Sequence, residues 1–292
     1  MPDAAVGLAF DLPPREALNY FTRLGLVPTG PWDELWQTER TGAFTVAHLT
    51  RLDILADIHG AIVAALTDGT TFEAFRRQLR PLLIRKGWWG PAVDPDTGEI
   101  LKSYPDSSAP VWYGAPRRLE TIYRTNLQTA YMAGRWRQQA ETVEARPWWQ
   151  YVAILDDRTR PAHAALAGKV FRADDPIWKT CYPPNGFLCR CRVRALSQAR
   201  LEAEGLQPSV SGSDLKIVTV PKPNGDMTTL TLYQGPDMEF AFAPDLGWNY
   251  NPATGQAAGI AEQLAQRLAR LPADWRASAA AVPTPPPEDA PR

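Results

Sequence analysis

The chain has 292 residues, of which 45% are apolar, and its 31 Lys and Arg nearly balance 32 Asp and Glu. The apolar share excludes wholesale disorder, and the net charge of −1 excludes a chain that is basic throughout. No stretch approaches the ~18 consecutive apolar residues of a membrane span, and the N-terminus lacks the basic and apolar parts of a secretory signal. We therefore expect a protein that is made and used inside a cell.

Two helices are predicted in the first third of the chain. Apolar residues recur every three or four positions from Phe44 to Leu66, which predicts an amphipathic helix over this stretch. Thr70, with Glu73 three residues later, resembles a capping box that opens a second helix, and Pro81 is expected to bend or end that helix. The Pro- and Gly-containing stretch that follows is predicted to form a turn and a linker.

The rest of the chain is predicted to contain one long helix and several short strands. The helix follows Pro116 and runs to about Ala140, and Asn224-Gly225 between two later apolar stretches is typical of a β-hairpin. The elements predicted after the long helix are strands at 151–155, 169–171 and 188–196, a helical turn at 161–167, hairpin strands at 215–220 and 228–233, and a helix through Ile260–Leu271.

These elements together predict an α+β fold. Residues 1–110 form a helical N-terminal region, and residues 115–200 form a central domain in which the long helix packs on a small β-sheet. Residues 201–281 form a β-rich C-terminal region with the hairpin and the last helix. The Pro-rich residues 282–292 are expected to be a disordered tail.

Basic residues are concentrated in the middle of the chain. Residues 117–194 carry fourteen basic and seven acidic side chains, so the near-neutral total is an average over unlike segments. On an extended strand Arg190, Arg192 and Arg194 would share one face, which is either simply solvated or meets an anionic partner. The candidates for contact with DNA phosphates or an acidic protein surface are Arg124, Arg135, Arg158, Arg160, Arg190, Arg192 and Arg194.

The three cysteines are all in this basic segment, and with one histidine they allow three interpretations. His163, Cys181, Cys189 and Cys191 are a ligand set suited to tetrahedral zinc, although the spacing is not that of a familiar zinc finger. Alternatively, the thiols are reduced and merely buried. The third interpretation is a metal-assisted nuclease or hydrolase built on Asp156, His163 and the cysteines. In it, Asp156 or Asp157 orients His163, and Cys181 or a metal-bound water is the nucleophile.

The sequence also bears on whether the protein is an enzyme or a module that binds nucleic acid. The sequence contains no Gly-rich phosphate loop and no Gly-x-Ser-x-Gly elbow, so we do not expect an enzyme or a small-molecule substrate. A module that binds single-stranded nucleic acid is a further alternative, with paired tryptophans such as Trp88-Trp89 as stacking platforms. Paired tryptophans beside Pro or Gly are also typical of the edge of a core.

Five sequence blocks, in this order and spacing, resemble the phage Mu F-like minor head proteins, the head morphogenesis family. The blocks are Tyr123-Arg-Thr-Asn-Leu127, Leu155-Asp-Asp-Arg-Thr-Arg-Pro-Ala-His163, Gly168-Lys-Val170, Asp174-Asp-Pro-Ile-Trp178 and Pro183-Pro-Asn-Gly-Phe-Leu-Cys-Arg-Cys-Arg192. With stretches near the N-terminus and Gly247-Trp-Asn-Tyr-Asn-Pro252, the resemblance extends over about residues 13–256.

The resemblance implies a structural role in a tailed phage or a prophage. Such a minor head protein acts in head morphogenesis at the portal and in the procapsid interior. The implied partners are the portal, other procapsid proteins and the packaged DNA, without a membrane. The implied location is the host cytoplasm during assembly and the virion head afterwards.

Overall fold

The computed structural model of the chain describes residues 15–29, 35, 37–104, 107–223 and 225–254. Helices and small sheets are both present, which confirms the predicted α+β class. The predicted helix through Ile260–Leu271, the Pro-rich tail and Asn224 of the hairpin turn lie outside the described residues. No helix among those described is both long enough and apolar enough to cross a membrane.

The described residues form seven α-helices and seven β-strands. The helices are α1 (Arg15–Thr22), α2 (Leu52–Asp68), α3 (Phe72–Arg85), α4 (Pro116–Glu141), α5 (Pro161–Ala165), α6 (Trp178–Cys181) and α7 (Gln198–Ala203). The strands are β1 (Gly25–Leu26), β2 (Ala43–Phe44), β3 (Trp148–Val152), β4 (Val170–Arg172), β5 (Arg192–Leu196), β6 (Leu215–Pro221) and β7 (Met227–Tyr233). Short 3₁₀ helices span Gln37–Gly42 and Gly212–Asp214.

The first long helix begins later than the apolar spacing predicts. Helix α2 starts at Leu52, whereas the predicted start, Phe44, lies in strand β2, which pairs in parallel with β1. Val46 is nevertheless buried, because the loop between β2 and α2 passes over the core. His48 in this loop has a φ of 56°, outside the right-handed helical region, so a helix cannot run through it.

The second helix also differs in detail from its prediction. Its N-cap is Thr71, whose hydroxyl accepts a hydrogen bond from the amide of Ala74, so the cap is one residue later than expected. Pro81 lies inside α3, and the helix continues to Arg85. The proline ring is exposed. The backbone carbonyl one turn earlier, which receives no hydrogen bond because proline has no N–H, therefore lies on the side of α3 that water can reach.

The stretch predicted as a linker is held by backbone pairing. Short antiparallel bridges join Pro91 to Trp112 and Ser103 to Pro110, and the predicted turn at Asp94 is closed by its own carboxylate. Arg118 of α4 fastens this stretch to the N-terminal region, because its guanidinium donates to carbonyls of Trp112 and of Ala47. This stretch is therefore part of the folded structure.

Helix α4 contributes to two hydrophobic cores. The first core lies among α1 to α4, where Leu119, Ile122, Ala130 and Ala133 pack on residues of the other three helices. The second core lies under a three-stranded antiparallel sheet of order β4-β3-β5 and includes Met132 of the same helix. The long helix thus packs on a small sheet, as expected.

The C-terminal part packs back on the region from β3 to β5, residues 148–196, which is called the sheet domain. Strands β6 and β7 pair antiparallel from Leu215–Tyr233 to Pro221–Met227, which confirms the hairpin. Beyond it, the side-chain oxygen of Asn249 accepts a hydrogen bond from the amide of Thr231, at 3.0 Å. The side-chain amide of Asn251 donates to the carbonyl of Trp178 at 2.9 Å. Residues 242–251 are therefore anchored to both the hairpin and α6.

Candidate site around His163, Cys189 and Cys191

Three potential metal ligands meet in the second core. His163 of α5 has 2% of its surface exposed, and its Nδ1 lies 3.7 Å from Sγ of Cys189 and 3.8 Å from Sγ of Cys191. One ligand atom from each of the three residues lies within 4.8 Å of the other two. All three side chains are buried, so any ion held between them would be largely shielded from water.

The two thiols meet because side chains alternate along extended backbone. The strand predicted at 188–196 is shorter than expected, since β5 begins only at Arg192, and Leu188 has a φ of 58°. The alternation nevertheless extends through the preceding residues. Cys189 and Cys191 are buried while Arg190 between them reaches the surface, as the pattern of thiols and arginines predicts.

Cys181 is not part of this cluster, which corrects the predicted ligand set. It ends helix α6, which turns its side chain into the second core beside Trp178 and Tyr182. Its Sγ lies 3.6 Å from the hydroxyl of Thr180, and burial raises the pKa of the thiol to about 12. Such a thiol remains protonated at neutral pH, so it is a poor nucleophile as well.

A carboxylate that the sequence interpretation did not include lies beside the cluster. Oδ1 of Asp245 is 3.8 Å from Nε2 of His163, a buried atom with no hydrogen-bond partner among the described residues. Asp245 is held by an ion pair of 2.7 Å with Arg160 and by its own amide, which donates to the carbonyl of Asn185. A Cβ at Gly186 would lie 2.2 Å from Oδ2 of Asp245, so this approach requires glycine.

The two clustered thiols differ in acidity. The pKa of Cys189 is lowered well below its ordinary value, because its sulfur accepts a hydrogen bond from Cys191 and lies beside His163. The pKa of Cys191 is raised, because its thiol donates that hydrogen bond and is also buried. The hydrogen bond between the two thiols therefore favours the ionised form of Cys189 and the protonated form of Cys191.

Asp156 does not orient His163, which removes one part of the hydrolase interpretation. Its carboxylate instead accepts two hydrogen bonds from the guanidinium of Arg190, one of them 2.8 Å long. Cys181 is buried outside the cluster, so of the parts that this mechanism needs, the described residues provide neither an orienting Asp156 nor an accessible Cys181.

Most of the predicted basic face is neutralised by acidic residues of the same chain. Six of the eight basic residues between 158 and 194 pair with a carboxylate, namely Arg158, Arg160, Lys169, Arg172, Arg190 and Arg194. On α4, Arg124 pairs with Glu120, and Arg135 donates to the carbonyl of Val193 in β5. Arg192 has no carboxylate partner within the described part of the chain.

The pair of Asp156 and Arg190 predicts a dependence of stability on pH. Hydrogen bonds from Arg190 hold the pKa of Asp156 well below its ordinary range. A carboxyl group whose pKa is lowered by folding stabilises the folded state fully above about pH 4, which is its pKa in the unfolded chain. This stabilisation is lost as the pH falls toward the pKa of the group in the folded state. We expect Asp156→Asn to destabilise the protein at about pH 6 and to do so less at about pH 3.

Urea unfolding of both proteins at the two pH values measures this difference. Asp174→Asn is a suitable control, because Asp174 is an exposed aspartate paired with Arg172 in a single 3.1 Å contact. A gap between wild type and Asp156→Asn that stays constant from about pH 6 to about pH 3 would contradict the prediction.

Comparison with known proteins bears on the identity of the chain. Residues 56–194 match the family described as Phage Mu protein F like protein. The chain is 41% identical to the putative capsid assembly protein F of Escherichia phage Mu over 278 residues, which cover 93% of this chain and 61% of that protein. It is also 41% identical to the Mu-like prophage FluMu F protein of Haemophilus influenzae over 227 residues, covering 76% of this chain and 52% of that protein.

The chain thus spans less than two thirds of the length of both relatives. No solved structure matches it at a significant level. The similarity agrees with the five sequence blocks, four of which lie wholly or mostly in the sheet domain and one on α4. Residues 56–194 therefore belong to the Phage Mu protein F like family, and the likeness to Mu F proteins extends over most of the chain.

Proposed function

We propose that this chain acts in assembling the head of a Mu-like phage or prophage, as a minor protein at the portal and in the procapsid interior. The observation that carries the proposal is the 41% identity, over 93% of the chain, to the putative capsid assembly protein F of phage Mu. A role in assembly requires surfaces that bind other head proteins, and the sheet domain offers one.

This surface consists of two adjoining loops and is called the loop patch. Its exposed apolar side chains are Ile154, Leu155, Phe187 and Leu188, of which Leu155 is 72% exposed. Arg160 donates to the carbonyl of Phe187, and Arg190 binds Asp156, so two guanidinium groups hold the loops together. Apolar side chains beside arginines are typical of protein–protein interfaces.

The ion pairs favour a protein partner over DNA. Binding to phosphates requires basic side chains that are free to replace counterions, and six of the eight in this segment already have carboxylate partners. We therefore propose that the loop patch binds another procapsid protein, with the portal as the first candidate, and that contact with packaged DNA is secondary.

Substitution of Leu155 in the phage tests the proposal. Leu155→Glu places a charge on the loop patch at a side chain that is 72% exposed and outside the hydrophobic cores, so folding should be preserved. We expect binding to the partner protein to weaken by about tenfold or more, as when an important interface residue is disrupted, and the infectious titre to fall with it. Electron microscopy should show fewer complete heads, and copurification with the portal should decrease.

Val210→Glu is the matched control, since Val210 is 77% exposed and lies in the loop before the hairpin. It should leave titre and heads unchanged. Normal titre from a phage whose gene is interrupted would refute a role in head assembly. Normal titre from Leu155→Glu alone, with the interrupted gene defective, would refute the loop patch as the contact surface.

A further inference from the structure

We propose that His163, Cys189 and Cys191 bind one zinc ion, with Asp245 as the carboxylate that orients the imidazole. This centre goes beyond the proposed role in head assembly and does not depend on it. Its ligand set differs from the one predicted from sequence, because Cys181 is not part of it, and an outer carboxylate far downstream in the chain supports the histidine.

The nature and arrangement of the donor atoms favour zinc. Two thiol sulfurs and one imidazole nitrogen lie within 4.8 Å of one another, and each side chain is buried. Nδ1 of His163 faces both sulfurs at nearly equal distances, 3.7 Å and 3.8 Å. Thiolate together with imidazole is the ligand combination that zinc prefers in proteins, whereas magnesium and calcium prefer oxygen.

The opposite side of the imidazole supports the same conclusion. Nε2 of His163 is buried and lacks a hydrogen-bond partner among the described residues, yet it faces Oδ1 of Asp245 at 3.8 Å. A histidine that binds zinc through one nitrogen commonly donates its other N–H to a carboxylate. Arg160 and the close approach to Gly186 keep Asp245 at this position. The site thus has an outer shell as well as ligands.

Packing alone is a less satisfactory explanation of the cluster. A buried polar group without a partner destabilises the folded state, and the Nε2 atom is one such group. An ion on Nδ1 would fix the N–H on Nε2, where a small movement toward Asp245 would satisfy it. Among the described residues this cluster holds three His and Cys ligands, so a zinc ion bound here would have one position left for water or another donor.

A zinc ion here would join three separate parts of the chain. His163 belongs to α5, the cysteines precede β5, and Asp245 lies in the segment after the hairpin. We therefore assign the ion a structural role, in which it holds this last segment against the sheet domain and raises the stability of both.

Cobalt titration of the purified full chain tests the proposal directly. After metal removal under reducing conditions, added Co²⁺ should produce a thiolate-to-cobalt charge-transfer band that saturates at one ion per chain. One equivalent of Zn²⁺ should abolish the band and raise the Tm. This titration uses the wild-type protein alone, so its result does not depend on whether any variant folds. Absence of a charge-transfer band with cobalt in excess would overturn the proposal, even if some variants fail to fold.

Four variants assign the ligands. Cys189→Ser and Cys191→Ser should each weaken or abolish the band, whereas Cys181→Ser is the matched control and should keep it, because Cys181 is equally buried but outside the cluster. Asp245→Asn should keep one ion per chain but bind it about tenfold or more weakly. A band that survives loss of both Cys189 and Cys191, or that requires Cys181, would overturn the assignment.

Discussion

Replacing Trp149 with alanine is expected to cost about 3–5 kcal/mol of the free energy of unfolding, the largest effect we predict for a single side chain. Trp149 lies on β3 and is 2% exposed. Its ring centroid is 4.9 Å from that of Trp136 and 5.8 Å from that of Trp178. Alanine would leave a cavity among rigid aromatic rings, which cannot collapse into it.

The neighbouring Trp148 provides the control, because it is the same residue type on the same strand but points to the other face. Its indole N–H donates to the side chain of Gln198, and its ring packs against Arg172 near the surface. Trp148→Ala should cost about 1 kcal/mol. Urea unfolding followed by circular dichroism measures both variants. Equal costs for the two would show that Trp149 does not have the central packing role assigned to it.

The second large effect is expected at the crossing of α1 and α4. A Cβ at Gly134 would lie 2.9 Å from the backbone nitrogen of Ala17 and 3.1 Å from Cβ of Glu16. Gly134→Leu must therefore push the two helices apart, at a cost of about 3 kcal/mol. The loss should be visible as a lower urea midpoint and as faster proteolysis near α1.

Gly60 on α2 is the opposite case and serves as the control. No atom lies within 4 Å of a Cβ built at this position, so alanine there meets open space. Gly60→Ala should stabilise the protein by about 0.5–1 kcal/mol, because alanine loses less backbone entropy in a helix. Stabilisation by Gly134→Leu as well would contradict the tight crossing.

Local sequence patterns predict much of this fold, and they are wrong where tertiary contacts determine the local structure. The long helix after Pro116 and the hairpin follow from apolar spacing, a proline at the helix start and an Asn-Gly turn. The start of α2 does not follow from the apolar spacing. Val46 is buried in a loop, so it fits the helical spacing although it is not part of a helix. Likewise, Pro81 breaks a helix in general but is tolerated on the exposed side of α3.

The candidate site was partly predictable for the same reason. Alternation along one extended segment places Cys189 and Cys191 on one side, where the folded chain brings them close to His163 of α5. Whether Cys181 joins them depends on the direction of α6, which no local pattern encodes. Asp245, which pairs with Arg160, and Glu204, which pairs with Arg194, lie outside the basic segment, so a charge count over that segment could not include them.

The sharing of α4 between the two cores has a mechanical consequence. A helix that is packed on both sides cannot shift for one core without disturbing the other, so we expect the region of α1 to α3 and the sheet domain to unfold together. Strain applied at α1 by a neighbouring protein would pass along α4 to the backbone of β5, to which Gln139 and Arg135 are hydrogen-bonded.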